Sequence, residues 1–164
     1  MALRTHGHEP RLERAASAYS KLGEHAACWI ALGLMGAAFD QRPARRRRWL
    51  AGCATVLGAY GLNYVVKLAV QRPRPDLAGL PPLTSTVSRL SFPSAHATTS
   101  FAAAAAYRGL LPGPLLYGAA GLFALTRPYL GVHYPGDVLA GAALGTALAE
   151  AATHLYHPEN AACR

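Results

Sequence analysis

The sequence contains two histidines and a carboxylate whose types and spacing suit nucleophilic catalysis. His133 and Asp137 lie four residues apart and bracket a Tyr-Pro-Gly turn, so the carboxylate can fold back onto one imidazole nitrogen. Such a partner sets the tautomer of the imidazole and makes its other nitrogen more nucleophilic. His96 supplies a second imidazole that can protonate a departing oxygen as a general acid. The pattern predicts that His133 attacks, Asp137 orients it and His96 is the acid.

Three permanent cations accompany these groups. Lys67, Arg74 and Arg127 flank the two histidines along the chain, and a dianionic phosphate or a phosphoryl group in transfer needs this concentration of positive charge. Ser94 stands where an N-cap belongs, directly before an apolar helix whose first backbone N–H groups would face the same anion. These features together predict a phosphate-binding site.

Each of these residues has a simpler interpretation when it is taken alone. A lone histidine in an apolar chain more often packs within the core, and a lone Lys or Arg at a helix end more often anchors the helix at a membrane surface. Neither interpretation explains why three segments carry such groups together. A zinc site is disfavoured because the sequence has no His-Glu-x-x-His or Cys/His ligand set and three cations would repel a divalent ion. We expect no metal and no cofactor.

The composition indicates a membrane protein of one domain. The 164 residues are 52% apolar and only 15% charged, and a chain of this length has too little sequence for a second core, so residues 1–164 are predicted to form a single domain. The net charge of +8 comes from residues at the ends of apolar runs, which indicates anionic lipid headgroups or phosphate as partners and not nucleic acid. Cys28, Cys53 and Cys163 form no CxxC pair and are interpreted as apolar fillers and a tail residue.

The hydropathy pattern predicts an all-α bundle with about five membrane spans. Crossing a bilayer takes about 20 apolar residues, and the candidate spans cover residues 24–39, 49–70, 94–111, 115–126 and 136–156. Residues 9–22 have apolar positions at helical spacing among charges, so residues 1–23 are predicted to be an arm with an amphipathic interfacial helix. Glycines within the spans, including Gly58, Gly61, Gly141 and Gly145, are predicted to allow close helix packing.

The basic residues predict how the chain lies in the membrane. Arg42 and Arg45–Arg48 fall between the first two candidate spans, and the positive-inside rule places that segment in the cytoplasm. Residues 67–93 and 127–135 then emerge together on the opposite face. We therefore expect an integral protein of the bacterial plasma membrane, with an extracytoplasmic active site and no cleavable signal peptide.

The motifs resemble the signature of the type 2 phosphatidic acid phosphatase superfamily, written K-x6-R-P, P-S-G-H and S-R-x5-H-x3-D. All three occur in order over residues 67–137. The resemblance implies that Lys67, Arg74 and Arg127 hold the phosphate, with contacts from Ser94 and the backbone of Ala95. It also implies that His133 forms a phosphohistidine, with Asp137 behind it and His96 as the acid. Two positions differ from the signature, because Ala95 replaces glycine and Thr126 replaces serine.

A narrower resemblance covers more of the chain. KLGEHAACW from Lys21, RRRRWL from Arg45, SRLSFPSAHATT from Ser88 and GVHYPGDVLAG from Gly131 are similar to the actinobacterial decaprenylphosphoryl-5-phosphoribose phosphatases, which act in cell-wall arabinan precursor synthesis. The resemblance implies a polyprenyl-linked sugar phosphate as substrate. Glu24 and His25 would then contact the sugar or simply cap the first span.

Other functions remain open at the level of the sequence. The same site would accept a polyprenyl diphosphate, whose hydrolysis recycles the lipid carrier, or another lipid phosphate. A protein that binds anionic lipid without turning it over is a different class, and the pair of His133 and Asp137 argues against it because binding alone needs no oriented nucleophile.

Overall fold

Six α-helices lie within residues 9–76 and 81–156, which are the residues that the computed structural model describes. They are α1 (Pro10–Leu22), α2 (Ala27–Phe39), α3 (Pro43–Val70), α4 (Ala95–Tyr107), α5 (Gly113–Tyr129) and α6 (Pro135–Tyr156), with a single 3-10 turn at Glu24–Ala26 between α1 and α2. The described residues contain isolated β-bridges but no strand, which confirms the all-α class. The predicted tail cysteine, Cys163, lies outside the described residues.

Helix α4 is the centre of the bundle, and α6 packs tightly against it. A Cβ atom at Gly141 would lie 2.6 Å from the Ser94 carbonyl oxygen, and one at Gly145 would lie 2.0 Å from the Thr98 carbonyl oxygen. Only a glycine permits this approach, so the predicted packing role of the Gly-x-x-x-Gly pair is confirmed. The same prediction was wrong for Gly58 and Gly61, because a Cβ atom at either position would meet no atom of any other element in residues 9–76 and 81–156 within 4 Å.

Several helix boundaries differ from those predicted. Helix α3 begins at Pro43 and not at residue 49, so Arg45–Arg48 belong to its first turns; proline suits the first helical positions and arginine is a good helix former. Helix α4 ends at Tyr107 because Arg108 has an extended ψ of 137° and Gly109 has a φ of 81°. Helix α5 continues to Tyr129, which places Arg127 in its last turn and not in the following loop.

One described helix, Pro43–Val70, is long and apolar enough to cross a membrane alone, and the bent pair Pro10–Leu22 and Glu24–Phe39 passes the same test when it is taken as one unit. Helices α4 and α5 have 13 and 17 residues, which is less than the roughly 20 that a perpendicular span requires. The count of five spans therefore stays a prediction. Large apolar side chains are exposed on the outside of the bundle, as at Leu34, Phe39, Val65, Leu122 and Leu139, which suits a lipid environment.

The chain turns by 48° between α1 and α2. His25 and Ala26 have φ angles of 53° and 60°, in the left-handed region that costs about 1–2 kcal/mol for a residue with a Cβ atom. Packing holds α1 in place on the other side of this turn, because the ring of Tyr19 stacks on Phe123 of α5 at 4.2 Å between centroids. The turn therefore has a fixed position relative to α5.

Candidate active site

The fold brings the predicted site residues to one cavity at the C-terminal end of α3. The cavity has an empty volume of about 700 Å³, including its open mouth, which is in the usual range for small-molecule sites. Its walls include eight of the ten predicted residues: Glu24, His25, Lys67, Arg74, Ala95, His96, Arg127 and His133. The other two, Ser94 and Asp137, are fully buried and contact wall residues from behind.

His133 and Asp137 have the arrangement that their spacing predicts. Nδ1 of His133 lies 3.6 Å from Oδ2 of Asp137, slightly beyond hydrogen-bond distance, and Nε2 lies 3.3 Å from Nη1 of Arg74. The backbone N–H of Tyr134 donates to the same carboxylate oxygen at 2.9 Å. Burial lowers the pKa of His133, which stands in the loop before α6, to about 4. The imidazole is therefore neutral near pH 7 and keeps a lone pair on the nitrogen that faces the cations.

Two of the three cations, Lys67 and Arg74, are held by backbone carbonyls that leave donors free for an anion. Lys67 Nζ donates to the carbonyl oxygens of Leu90 and Pro93, each at 3.1 Å. Arg74 donates to Ser88 O at 2.8 Å and to Val132 O at 2.7 Å. An ammonium group has three N–H donors and a guanidinium has five, so each cation keeps unused donors. Carbonyl partners do not neutralise the charges, and a bound phosphate would relieve their repulsion.

Arg127 also has spare donor capacity. Its Nε atom is buried and has no hydrogen-bond partner in the described part of the chain, while its Nη1 donates to the hydroxyl of Ser20. A buried donor without a partner costs free energy, and a phosphate oxygen in the cavity would supply the missing acceptor. The geometry therefore fits an anion at this position.

Ser20 is a site residue that the sequence analysis missed. It lies on α1, is 1% exposed, and its carbonyl oxygen is 2.9 Å from Nε2 of His96, while its hydroxyl contacts Arg127. The N-terminal helix was predicted only to lie at the membrane interface, whereas α1 also contacts both a predicted acid and a predicted phosphate ligand. The signal in the sequence was weak: Ala16, Ser20 and Gly23 form a line of small residues on one helical face.

Arg72 is a second residue that the sequence analysis missed. Its Nη1 donates to Oδ1 of Asp137 at 3.1 Å, and its guanidinium lies over the ring of Tyr134 at 4.2 Å from the centroid. The carboxylate therefore contacts Arg72 through one oxygen and faces His133 with the other. Three arginines lie close together between residues 72 and 89, and only the fold distinguishes the one that reaches Asp137.

The two departures from the motif are accommodated without strain. Ala95 begins helix α4, and the described non-glycine residues with positive φ are His25, Ala26 and Gln71, so a methyl group at position 95 meets no left-handed backbone. Ser94 caps the helix, with its Oγ accepting from Ala97 N at 3.5 Å. The backbone N–H groups of Ala95 and His96 precede this cap bond, where a helix supplies no acceptor of its own, and can therefore face an anion.

Other polar residues near the motifs have structural roles. The hydroxyl of Thr126 donates to the carbonyl of Phe123 at 2.7 Å, so it serves the last turn of α5 and not the cavity. Within residues 9–76 and 81–156, no cluster of three or more His, Cys, Asp or Glu side chains is arranged to hold a metal ion.

A helical bundle with three cations and a carboxylate-backed histidine in one cavity defines a phosphatase of the PAP2 class. The chain belongs to the PAP2 superfamily, whose family model matches residues 48–161. Its curated relatives include decaprenylphosphoryl-5-phosphoribose phosphatases from Mycobacterium tuberculosis, 41% identical over 83% of this chain and 76% of the relative, and from Mycolicibacterium smegmatis, 44% identical over 80% and 72%. The chain is a phosphoric monoester hydrolase.

Solved structures support the fold. The crystal structure of a transmembrane PAP2-type phosphatidylglycerolphosphate phosphatase from Bacillus subtilis is similar, with a TM-score of 0.74, 25% identity and coverage of 96% of this chain and 82% of that one. The crystal structure of Aquifex aeolicus LpxE has a TM-score of 0.71 at 22% identity and covers 92% and 90%. With the transmembrane PAP2-type phosphatase from Bacillus subtilis as a neighbour and the apolar helix α3, the chain is a membrane protein.

Proposed function

We propose that this phosphatase removes the terminal phosphate of a polyprenyl-linked sugar phosphate, converting decaprenylphosphoryl-5-phosphoribose to decaprenylphosphoryl ribose in cell-wall arabinan precursor synthesis. The observation that carries the proposal is the identity of 41–44% to relatives of that name over about four fifths of the chain. The cavity is consistent with it, because its walls carry polar groups beyond those a phosphate alone would contact.

The proposed mechanism has two steps without a metal. Lys67, Arg74 and Arg127 hold the phosphate dianion, with the N–H groups at Ala95 and the Ser94 cap completing the cradle. Nε2 of His133 attacks phosphorus, forming a P–N bond as the P–O bond to the sugar breaks. His96 acts as the imidazolium: its Nε2–H stays on the Ser20 carbonyl, and its Nδ1 proton goes to the departing oxygen. Water then attacks the phosphohistidine, returns a proton to His96 and releases inorganic phosphate.

The charge of the site supports regioselectivity for the monoester. A terminal monoester presents two negative charges to three cations, whereas the internal diester carries one charge and two bulky substituents. Since the attraction scales with the product of the charges, the site should bind the 5-phosphate far more strongly. The phosphodiester to the lipid would then remain intact.

The proposal includes a place in the membrane. At about 1.5 Å per residue, the path along α3 from Arg46 to Lys67 covers roughly 30 Å, which matches the thickness of the hydrocarbon core. The arginine-rich end would face the cytoplasm and the cavity the extracytoplasmic side of the plasma membrane. In this arrangement α2 to α6 supply the five spans and α1 lies at the interface. The isoprenoid tail would stay among the helices while the phosphate enters from the headgroup layer.

Purified enzyme tests the proposal by direct comparison of substrates. We expect the highest kcat/KM on decaprenylphosphoryl-5-phosphoribose, with decaprenylphosphoryl ribose as the product by mass spectrometry. His133→Ala should abolish phosphate release, and acid-labile phosphate should appear on the wild-type protein after rapid quenching. A polyprenyl diphosphate that reacts about tenfold faster would replace the assignment with carrier recycling.

A broader lipid phosphatase activity is the second candidate. Lipid A 1-phosphatase from Rhizobium etli is 35% identical over 99 residues, which cover 56% of this chain and 43% of that protein. Equal kcat/KM values on several unrelated lipid phosphates would favour this broader activity over the sugar-phosphate assignment.

A further inference from the structure

The mouth of the cavity carries a group of side chains that the phosphate chemistry does not use. Glu24 and His25 from the turn between α1 and α2, and Tyr60 from α3, line the same cavity as Lys67 and Arg127. We call Glu24, His25 and Tyr60 the rim. Nδ1 of His25 lies 2.9 Å from the hydroxyl of Tyr60, and the two rings meet edge to face with centroids 6.0 Å apart. The rim is thus joined across two elements.

The backbone of the rim has an unfavourable conformation that the surrounding packing holds in place. His25 and Ala26 both have left-handed φ angles, a conformation that non-glycine residues adopt when surrounding structure imposes it and that is frequent at ligand sites. Ala26 is 1% exposed, and a Cβ atom at Gly23 would lie 2.9 Å from the Phe123 ring and 3.0 Å from the His96 ring. Packing on both sides of the turn therefore directs residues 24 and 25 to the cavity.

Glu24 is unexpected in a pocket for an anion. Among the described residues that line the cavity it is the single carboxylate, and it is close enough to Arg127 for their charges to attract. A carboxylate here weakens the binding of any additional negative charge near the mouth. It also accepts hydrogen bonds from hydroxyl groups, and the histidine and tyrosine beside it offer both donors and acceptors.

We propose that the rim selects the substrate by the group attached to the phosphate: it binds the hydroxyls of a sugar and repels a second phosphate. The inference rests on the proposed function and identifies the residues that give it specificity. In a polyprenyl diphosphate the second phosphate is joined to the first through one oxygen, so its charge would lie beside Glu24. In a phosphorylated sugar the ring separates the two phosphates, and its neutral hydroxyls occupy that position.

The variant Glu24→Gln tests the charge while keeping the size of the side chain and an oxygen acceptor. We would measure kcat/KM in mixed micelles for two substrates with the same polyprenyl chain, a polyprenylphosphoryl-5-phosphoribose and a polyprenyl diphosphate. The ratio of the two values should move toward the diphosphate by about tenfold or more, as expected for the loss of one nearby charge. Glu9→Gln is the matched control, because Glu9 is exposed before α1, and its ratio should match the wild type.

Tyr60→Phe tests the hydrogen-bonding part of the rim. The change removes the hydroxyl that contacts His25 and keeps the ring. KM for the sugar phosphate should rise about three- to tenfold, as expected for one lost hydrogen bond, with kcat and the diphosphate reaction nearly unchanged. Thermal unfolding in detergent would confirm that each variant is folded.

The outcomes separate the two proposals. An unchanged substrate ratio in folded, active Glu24→Gln overturns the role of the rim, whatever the preferred substrate of the wild type. A wild type that prefers the diphosphate overturns the proposed function, and a ratio shift in Glu24→Gln would then still measure the repulsion by Glu24. Preference for the sugar phosphate in the wild type, reduced by Glu24→Gln and not by Glu9→Gln, supports both.

Discussion

Replacing Ser20 by alanine should impair catalysis although this residue belongs to none of the three motifs. The hydroxyl of Ser20 accepts a hydrogen bond from Nη1 of Arg127, and Nε of the same guanidinium already lacks a protein partner. Without the hydroxyl, Arg127 would lose the side-chain contact that holds its end in the cavity. The carbonyl of Ser20 that faces His96 would remain, so the variant isolates the contribution of the hydroxyl.

The size of the effect follows from the type of contact. A hydrogen bond to a charged group contributes about 1.5–3 kcal/mol, and about 1.4 kcal/mol corresponds to a tenfold change in rate. Water entering from the cavity would replace part of the lost contact. We therefore expect kcat/KM of Ser20→Ala to fall roughly 10- to 100-fold.

The assay needs a measurement that a general loss of structure would leave unchanged. Vanadate mimics a five-coordinate phosphoryl group, so its inhibition constant should rise by a factor similar to the fall in kcat/KM if Arg127 is misplaced. A smaller fraction of folded enzyme would lower the apparent kcat and leave the inhibition constant unaltered. Ser17→Ala is the control one turn earlier on α1, where the hydroxyl contacts Thr84 at 3.5 Å and not the site.

Two results would refute this reasoning. The first is a Ser20→Ala enzyme whose kcat/KM stays within about twofold of the wild type, since a contact to a charged group should contribute more than that. The second is a loss of activity with an unchanged inhibition constant for vanadate. Either result would return α1 to the role of an anchor.

Four further predictions concern the nucleophile, its supports, metals and topology. Arg72→Gln should lower kcat more than it raises KM, because it frees one oxygen of Asp137 while leaving the phosphate cradle intact. Arg72→Lys keeps the positive charge and should restore part of kcat. Equal activity in both variants would contradict a positioning role for Arg72. Because burial lowers the pKa of His133 to about 4, its imidazole NMR signals should not titrate between pH 8 and 5. A titration midpoint near pH 6.5 would show that the imidazole is exposed to solvent. Activity should survive excess EDTA, and loss with rescue by one divalent ion would disprove the metal-free mechanism. The topology can be tested by introducing single cysteines into a variant without native cysteines. Val87→Cys, where the side chain is 77% exposed, should react with an impermeant thiol reagent outside intact cells, and Ala44→Cys should not. The reverse labelling would place the cavity in the cytoplasm.

The sequence by itself determined the class of fold and pointed to eight of the residues that line the cavity. Long apolar segments without charges can satisfy their backbone in a membrane only as helices or closed barrels, and their lengths favoured helices. The cations and histidines stood out because ionisable groups are expensive beside apolar segments. The four-residue spacing of His133 and Asp137 predicted their mutual orientation because a single turn joins them.

Helix ends were less predictable because the sequence carries competing signals there. Arg45–Arg48 read as a loop by charge, yet Pro43 begins the helix ahead of them. The candidate span over residues 115–126 ended too early, whereas α5 includes Pro128 in its last turn and continues to Tyr129. Gly58 and Gly61 were interpreted as packing positions, yet none of the described helices reaches them, since composition alone does not specify which face of a helix another helix covers.

Tertiary structure alone decided which additional groups complete the site. Ser20 lies 107 residues before Arg127, and Arg72 lies 65 residues before Asp137, so no local spacing connects either pair. The contact between His25 and Tyr60 likewise depends on a turn in which two residues other than glycine, His25 and Ala26, adopt the left-handed conformation. The sequence carries no local signal for this conformation. The contacts of Ser20 and His25 depend on how α1 packs onto α5 around Tyr19 and Phe123. The contact of Arg72 depends on how the segment after α3 returns to α6. Local sequence patterns therefore predicted the catalytic and phosphate-binding side chains. The contacts that orient these side chains, and those of the proposed rim, depend on how the helices pack.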